Sequence, residues 1–320
     1  SSADEVIIPS HTFTSSAYPF ARMGARLVWA DIDPDTRVVT CDSLGQCISD
    51  ATKVIVVPHL YGYGAEMPEI IALAKSYDLL VVEDAAQSLG VNVSGQMTGT
   101  FGDFGVFSFH SHKNVTTLGE GGMLAVRDPK IAELIPMLRH NGHCAFPFDR
   151  SDYWVPAMGN VDFPEYNDER LWPTNCCIGE LECAIGSKLL ERADSINVEK
   201  RERAIKWIDS LNDYPELVFH RVDNDRHNYH LLVAHVKDNL RDAFIRRMAY
   251  HHKIQCVVQY CPLDRYPFYG KLGFGKSECP HADEFFDNMV SFPFNHWLSD
   301  DQLDRMLSAT YETLEHLREG

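Results

Sequence analysis

Lys113 is the first residue whose surroundings suggest chemistry. It lies in a short polar segment, His110-Ser111-His112-Lys113-Asn114, between two apolar β-type runs, Val106–Phe109 and Met123–Val126. Most of the other ten lysines stand in charged or helical surroundings, where a solvated face is the plain reading. An amine held in a partly desolvated pocket carries charge less readily and can condense with an aldehyde. The second such residue is Asp84, which follows Glu83 at the end of the apolar run Leu79–Val82. An acidic group where a central strand emerges is costly unless it meets a cation or serves a site. An aspartate there can hold a heterocyclic nitrogen protonated. The pattern fits a structural Lys113–Asp84 ion pair equally well, so both readings stand at this point.

Between them, Ala85-Ala86-Gln87-Ser88 is small and polar, as suits a loop with something packed closely above it. His110 and His112 have the spacing of a metal pair, since alternate positions on a strand point the same way, but no third ligand is evident and no metal is assigned. The glycines at 119, 121 and 122 are not a dinucleotide fingerprint, because no G-x-G-x-x-G follows a strand and opens a helix. That argues against a nicotinamide dehydrogenase.

These residues need a scaffold, and the first half of the chain supplies one. Apolar runs at Glu5–Ile8, Arg26–Ala30, Lys53–Val57, Leu79–Val82, Val106–Phe109 and Met123–Val126 alternate with helix-period stretches such as Ser15–Met23 and Met67–Ser76. Runs that are apolar on both faces and alternate with helices predict an α/β fold with a largely parallel central sheet. Functional groups in such a sheet gather beyond the carboxyl ends of its strands. Residues 140–173 are rich in Gly, Pro, Asp, His and aromatics without a period, which predicts a long loop region. Helical pattern resumes at Ile178–Ala193 and continues through the charged Val198–Leu211. A strand (His230–Val236), a helix (Arg241–His251), a strand (Gln255–Tyr260) and a terminal helix (Asp300–Leu317) then predict a smaller C-terminal α+β domain. The division expected is 1–190 for a large domain and 191–320 for a small one.

The 320 residues are 45% hydrophobic and 23% charged, a globular composition with a formal net charge of -17. The excess of 46 acidic over 29 basic residues argues against a nucleic-acid scaffold, although a local pocket for one or two phosphates is compatible with it. No apolar run reaches bilayer length and no signal segment stands at the front. Nine scattered cysteines, an odd number without a C-x-x-C pair, predict reduced thiols and a cytoplasmic setting.

Several ordered motifs together are far more specific than any one of them. Val82-Glu83-Asp84-Ala85-Ala86-Gln87, Gly99-Thr100-Phe101-Gly102-Asp103, Phe107-Ser108-Phe109-His110-x-x-Lys113-Asn114 and Gly119-Glu120-Gly121-Gly122 closely resemble the DegT-type nucleotide-sugar aminotransferases. Asp4–Phe13, Asp31–Thr36, His59-Leu60-Tyr61-Gly62, the Asn175–Gly186 stretch, and Tyr260-x-Pro262-Leu263 followed by Ser291-Phe292-Pro293 extend the likeness over nearly the whole chain.

The resemblance implies a pyridoxal-phosphate transferase of fold type I, the aspartate-aminotransferase fold. Lys113 would form the Schiff base with the cofactor and shuttle the proton. Asp84 would pair with the pyridine nitrogen, and Gln87 would lie near the ring and its hydroxyl. Phe13 would stack on the ring face and Ser108 would hydrogen-bond the phosphate. Asn175 would reach the phosphate of a neighbouring subunit, giving a homodimer with composite sites. The implied reaction is ping-pong transfer from L-glutamate or L-glutamine to a nucleotide-linked keto-sugar; the competing reading is a non-catalytic or cofactor-deficient regulatory relative. Retention of Lys113, where sugar dehydratases of this fold carry histidine, favours transfer. Plain readings of the same residues are a core aromatic for Phe13, backbone satisfaction for Gln87 and Ser108, and an N-cap for Asn175.

Three departures accompany the likeness. The family's upstream segment, with a Gly-Thr or Gly-Ser pair for the phosphate, is expected to be absent, since Ser1 stands just before Asp4-Glu5-Val6. The usual Asn-Tyr-Arg reads Asn175-Cys176-Cys177, and Asp264-Arg265 follows Pro262-Leu263 where a histidine is frequent. The last two predict an altered substrate.

Overall fold

A computed structural model describes residues 3–145 and 159–319. Its centre is a six-stranded sheet in the order Arg26–Ala30, Glu5–Pro9, Thr52–Pro58, Leu80–Asp84, Phe104–Ser108 and Gly122–Val126. The first four junctions are parallel and the last is antiparallel. Val6, Ile7, Ile8, Ile55, Val56 and Val57 are buried, as the two-sided apolar runs require, and the fold is α/β with a mostly parallel sheet flanked by helices. All five parallel strands present their carboxyl ends at one rim, where four loops meet: Ser10–Ser16, His59–Gly62, Ala85–Ser88 and Phe109–Asn114.

Two glycines permit the close approach of the central strands. A Cβ on Gly105 would stand 1.9 Å from the Gly99 carbonyl oxygen, and Gly99 itself has φ of +82°. Only glycine meets the first demand, and the second is strained for any L side chain.

The second half builds a three-stranded antiparallel sheet, Leu217–Phe219, Leu232–Val236 and Met289–Phe292. The helices Ala193–Asp209, Arg241–Tyr250 and Asp300–Glu319 contribute Ala204, Trp207, Phe244, Met248, Leu303 and Met306 to the core beneath it. Residues between Leu263 and Met289 return to the first core, where Tyr269 and Phe285 are buried.

Several expected elements are redrawn. Gln255–Tyr260 is not a strand: only Val257 bridges to Ser291, and Met289–Phe292 takes the third place in the sheet. The expected Ser15–Met23 helix is a 3-10 turn, Thr14–Ser16, followed by a five-residue helix, Tyr18–Arg22, with proline in its first turn. Asp84 is the last residue of its strand, as expected for an acid where the strand emerges. Two helices, Cys41–Gly45 and Pro129–Arg139, are not among the expected elements, although Ile131, Leu134, Ile135 and Leu138 recur at helical spacing in the second, which has a proline at 136 and no fully buried residue. The region 140–173 holds small hairpins, His143–Cys144 with Asn160–Val161 and Glu165–Tyr166 with Glu169–Arg170, and 146–158 lie outside the described residues. His110 and His112 sit in a turn beyond Ser108, so the strand-based argument for a shared direction fails; their rings meet edge to face at 5.0 Å.

Candidate active site

The Leu80–Asp84 strand delivers two carboxylates in opposite directions. Glu83 points into the molecule, 0% exposed. Its Oε2 meets His59 Nε2 at 3.0 Å and accepts from Gly99 N–H at 2.8 Å, while Oε1 accepts from Phe101 and Gly102 N–H at 2.6 and 2.7 Å. Burial pushes this carboxyl up, but His59 and the backbone N–H groups outweigh it and hold the group below the usual carboxylate range. Glu83 therefore anchors the loop at 99–102, and the question of what stabilises an acid at the strand end has a local answer.

Asp84 points to the rim. Its Oδ2 accepts from Ser16 Oγ at 2.5 Å and its Oδ1 from Ala86 N–H at 3.0 Å, which fixes the plane of the carboxylate. The Lys113 backbone closes a turn, N–H to His110 carbonyl at 2.9 Å. Burial lowers the Lys113 amine below the ordinary lysine range, against the opposing pull of the Asp84 carboxylate. Among the described residues, no hydrogen bond is made to Lys113 Nζ. An amine that is desolvated, near a carboxylate and not tied to it is suited to react, rather than to serve as a fixed ion pair.

Gln87 is buried, with Oε1 accepting from Tyr61 N–H at 2.6 Å and Nε2 donating to the Tyr260 hydroxyl at 3.2 Å. Phe13 leaves 49% of its surface exposed and meets the Tyr260 ring at 5.5 Å between centroids. It is therefore not a core aromatic. Ser108 ends its strand half-buried, and its Oγ accepts from His110 N–H at 3.3 Å. Phe13, Asp84, Gln87, Ser108 and Lys113 thus lie on loops and strand ends of one rim. Asn175 is not brought to them within the chain. It is exposed and bridges to His140, and the following helix begins at Glu180 with Gly179 as its cap, so the N-cap reading is wrong.

Sequence reasoning missed Ser16, Tyr61 and Tyr260 as members of the site. Ser16 was hidden inside an apparent helix. Tyr260 stands in a motif, but nothing in its spacing announces that it reaches Gln87 across the sheet. Among the described residues, one group of three potential metal ligands occurs: His251 and His252, just past the Arg241–Tyr250 helix, and Glu312 on the Asp300–Glu319 helix. Arg247 and Arg305 stand near His252, a cationic surround that opposes a metal ion.

The donor set fits a ring-bearing aldehyde phosphate. Lys113 offers the amine, Asp84 an acceptor for a ring nitrogen, Phe13 an open aromatic face, and Ser108 a hydroxyl.

Comparison with known proteins agrees. The sequence profile of the DegT/DnrJ/EryC1/StrS aminotransferase family matches residues 1–310. The spore coat polysaccharide biosynthesis protein SpsC of Bacillus subtilis (strain 168) is 29% identical over 318 residues, covering 98% of this chain and 79% of that protein. The dTDP-3-amino-3,6-dideoxy-alpha-D-galactopyranose transaminase of Aneurinibacillus thermoaerophilus is 30% identical over 307 residues, covering 96% and 78%. Among solved structures, the aminotransferase TlmJ of Streptoalloteichus hindustanus superposes with a TM-score of 0.83 at 28% identity, over 99% of this chain and 80% of that one.

Proposed function

Because the chain belongs to the DegT/DnrJ/EryC1/StrS aminotransferase family and is a pyridoxal-phosphate-dependent transaminase, we propose that it aminates a nucleotide-linked keto-sugar, drawing nitrogen from L-glutamate or L-glutamine in a ping-pong cycle. The observation that carries this reading is the Lys113 amine, desolvated and untethered beside an oriented Asp84.

Bound pyridoxal phosphate supplies the carbonyl that accepts the amino group and the ring that accepts electrons. The Lys113 amine would take the proton from the donor carbon and return it on the cofactor side. Asp84, its carboxylate plane set by Ser16 and Ala86, would hold the proton on the ring nitrogen. Phe13 would cover one ring face, Gln87 would lie near the ring hydroxyl, and Ser108 would donate to the phosphate. Tyr260, between Phe13 and Gln87, would close the site from the second half of the chain.

The reading includes a homodimer in which Asn175 serves the neighbouring subunit. Exposed apolar side chains support it: Val106, Met123 and Leu124 on the last two strands of the sheet, Leu118 on the connection between them, and Trp172 and Leu181 further along the chain. It also includes two domains, 1–190 and 191–320, supported by two separate hydrophobic cores, although residues 263–289 pack into the first. Nine unpaired thiols support a cytoplasmic location. The competing non-catalytic reading is disfavoured by retention of the amine and its carboxylate.

The test supplies pyridoxal phosphate and each amino donor in turn and measures release of the corresponding oxo-acid. A set of nucleotide-linked keto-sugars then follows, with amino-sugar products identified by mass. Oxo-acid release without acceptor, limited to one equivalent per site, is expected. Release from neither donor would overturn the reading.

A further inference from the structure

The charged composition of 198–211 predicts a solvated helix, yet on the Ala193–Asp209 helix Lys200 is 2% exposed and Asn197 is 6% exposed. Three residues apart, they share one helix face. Lys200 Nζ donates to Asn114 Oδ1 at 2.9 Å and to the His230 carbonyl at 3.1 Å, and among the described residues no carboxylate meets it. Burying an amine among neutral partners is costly. Its consequence is directional. Lys200 donates both bonds, so Asn114 turns its oxygen toward Lys200 and its Nδ2 toward Asn197 Oδ1, 3.3 Å away. Asn197 is then left to donate from its own Nδ2 to the Leu89 carbonyl at 2.8 Å.

This chain of donors, Lys200 to Asn114 to Asn197 to Leu89, joins two loops that carry the site. Asn114 directly follows Lys113. Leu89 lies two residues beyond Gln87, on the loop that leaves Asp84. Asn228 braces the same loop, donating to the Gln87 and Leu89 carbonyls at 3.0 and 3.3 Å. A Cβ on Gly90 would come within 2.6 Å of Asn197 Nδ2, so the helix face is seated closely against that loop.

We propose that Lys200 is a positioning residue: by setting the orientation of Asn114 and Asn197 it fixes the Lys113 loop against the loop that follows Asp84, and so determines where the Lys113 amine stands. The proposal rests on reading Lys113 as the reactive amine. It goes beyond that reading by assigning a role to a lysine that touches neither substrate nor cofactor.

The test compares the native chain with Lys200→Met, Lys200→Arg and Asn114→Ala, each checked for folding by circular dichroism. Trace acetic anhydride is applied from pH 7 to 10 without cofactor, and acetylation of Lys113 is quantified by peptide mass spectrometry. In the native chain Lys113 titrates below the surface lysines. In Lys200→Met its profile moves toward theirs, and its neutral fraction near pH 8 falls about threefold or more. Lys200→Arg, which still only donates, retains the native profile. Asn114→Ala, which keeps Lys200 and removes the middle link, behaves like Lys200→Met and decides the matter if the methionine variant does not fold. An unchanged Lys113 profile in either folded variant would overturn the proposal, as would an arginine variant no better than methionine. Pyridoxal phosphate binding by the native chain is scored separately. Its failure would count against the function, whereas the labelling profile judges the positioning role.

Discussion

Replacing Glu83 by glutamine changes one atom's identity and removes one charge from a side chain that is wholly buried next to Asp84 on the strand. The carboxylate accepts from three backbone N–H groups and meets His59. Glutamine keeps a single acceptor oxygen. Turned toward Phe101 and Gly102, that oxygen retains two bonds but loses their charge assistance, while the new NH2 faces the Gly99 N–H and leaves it unpaired. A buried unpaired N–H costs about 1–3 kcal/mol, and bonds to a charged acceptor exceed neutral ones by about 1 kcal/mol each. The sum is about 3 kcal/mol, or a fall of about 4–5 °C in thermal midpoint for a chain of 320 residues. Differential scanning calorimetry at pH 7 measures it. The pH dependence supplies a second reading of the same group. Its folded pKa is depressed, so the stability it contributes is complete above the unfolded value near 4.3 and is lost as pH falls through the lower folded value. That acid-side loss should be shallower in Glu83→Gln. A midpoint within about 1 °C of native, or an unchanged acid limb, would refute the claim that Glu83 anchors the 99–102 loop.

Gly105→Ala should be destabilised by about 3 kcal/mol or more, seen as lost soluble yield, because its Cβ would stand 1.9 Å from a carbonyl oxygen. Phe13→Ala should fold as native does, its ring being half exposed, but weaken pyridoxal phosphate binding by about five- to tenfold in a fluorescence titration. Burial brings Lys200 down to about 7, so between pH 7 and about 10 the unfolded chain holds the extra proton and native stability rises by about 1.4 kcal/mol per pH unit. Lys200→Met lacks that slope, so the native midpoint should rise relative to that of the variant from pH 7 to 9. Light scattering should give twice the 36.3 kDa chain mass, with Leu181→Asp shifting it toward one.

Sequence pattern serves best where a residue's surroundings are its own neighbours in the chain. The parallel strands were legible because Val6–Ile8 and Val54–Val57 are apolar on both faces, which only a covered sheet demands. Lys113 and Asp84 were legible because each stands just beyond the end of such a run. Lys200 was not, since its charged neighbours on the helix describe the solvated face and say nothing of the Asn114 and His230 groups that bury it. Gln255–Tyr260 has the composition of a strand, but Met289–Phe292 pairs along Leu232–Val236 over four residues and leaves it a single bridge. The Ser16–Asp84 and Gln87–Tyr260 bonds join residues 68 and 173 apart, and no local periodicity encodes such contacts.

The central claim is that Lys113 is the amine that binds pyridoxal phosphate and that the loaded site takes nitrogen from an amino acid. Its most direct test is the visible absorption spectrum of the chain with added pyridoxal phosphate, before and after L-glutamate, beside Lys113→Ala. The account predicts a yellow band that bleaches with glutamate and is missing from the variant. A native spectrum that matches free cofactor, or a Lys113→Ala spectrum that matches native, would contradict it.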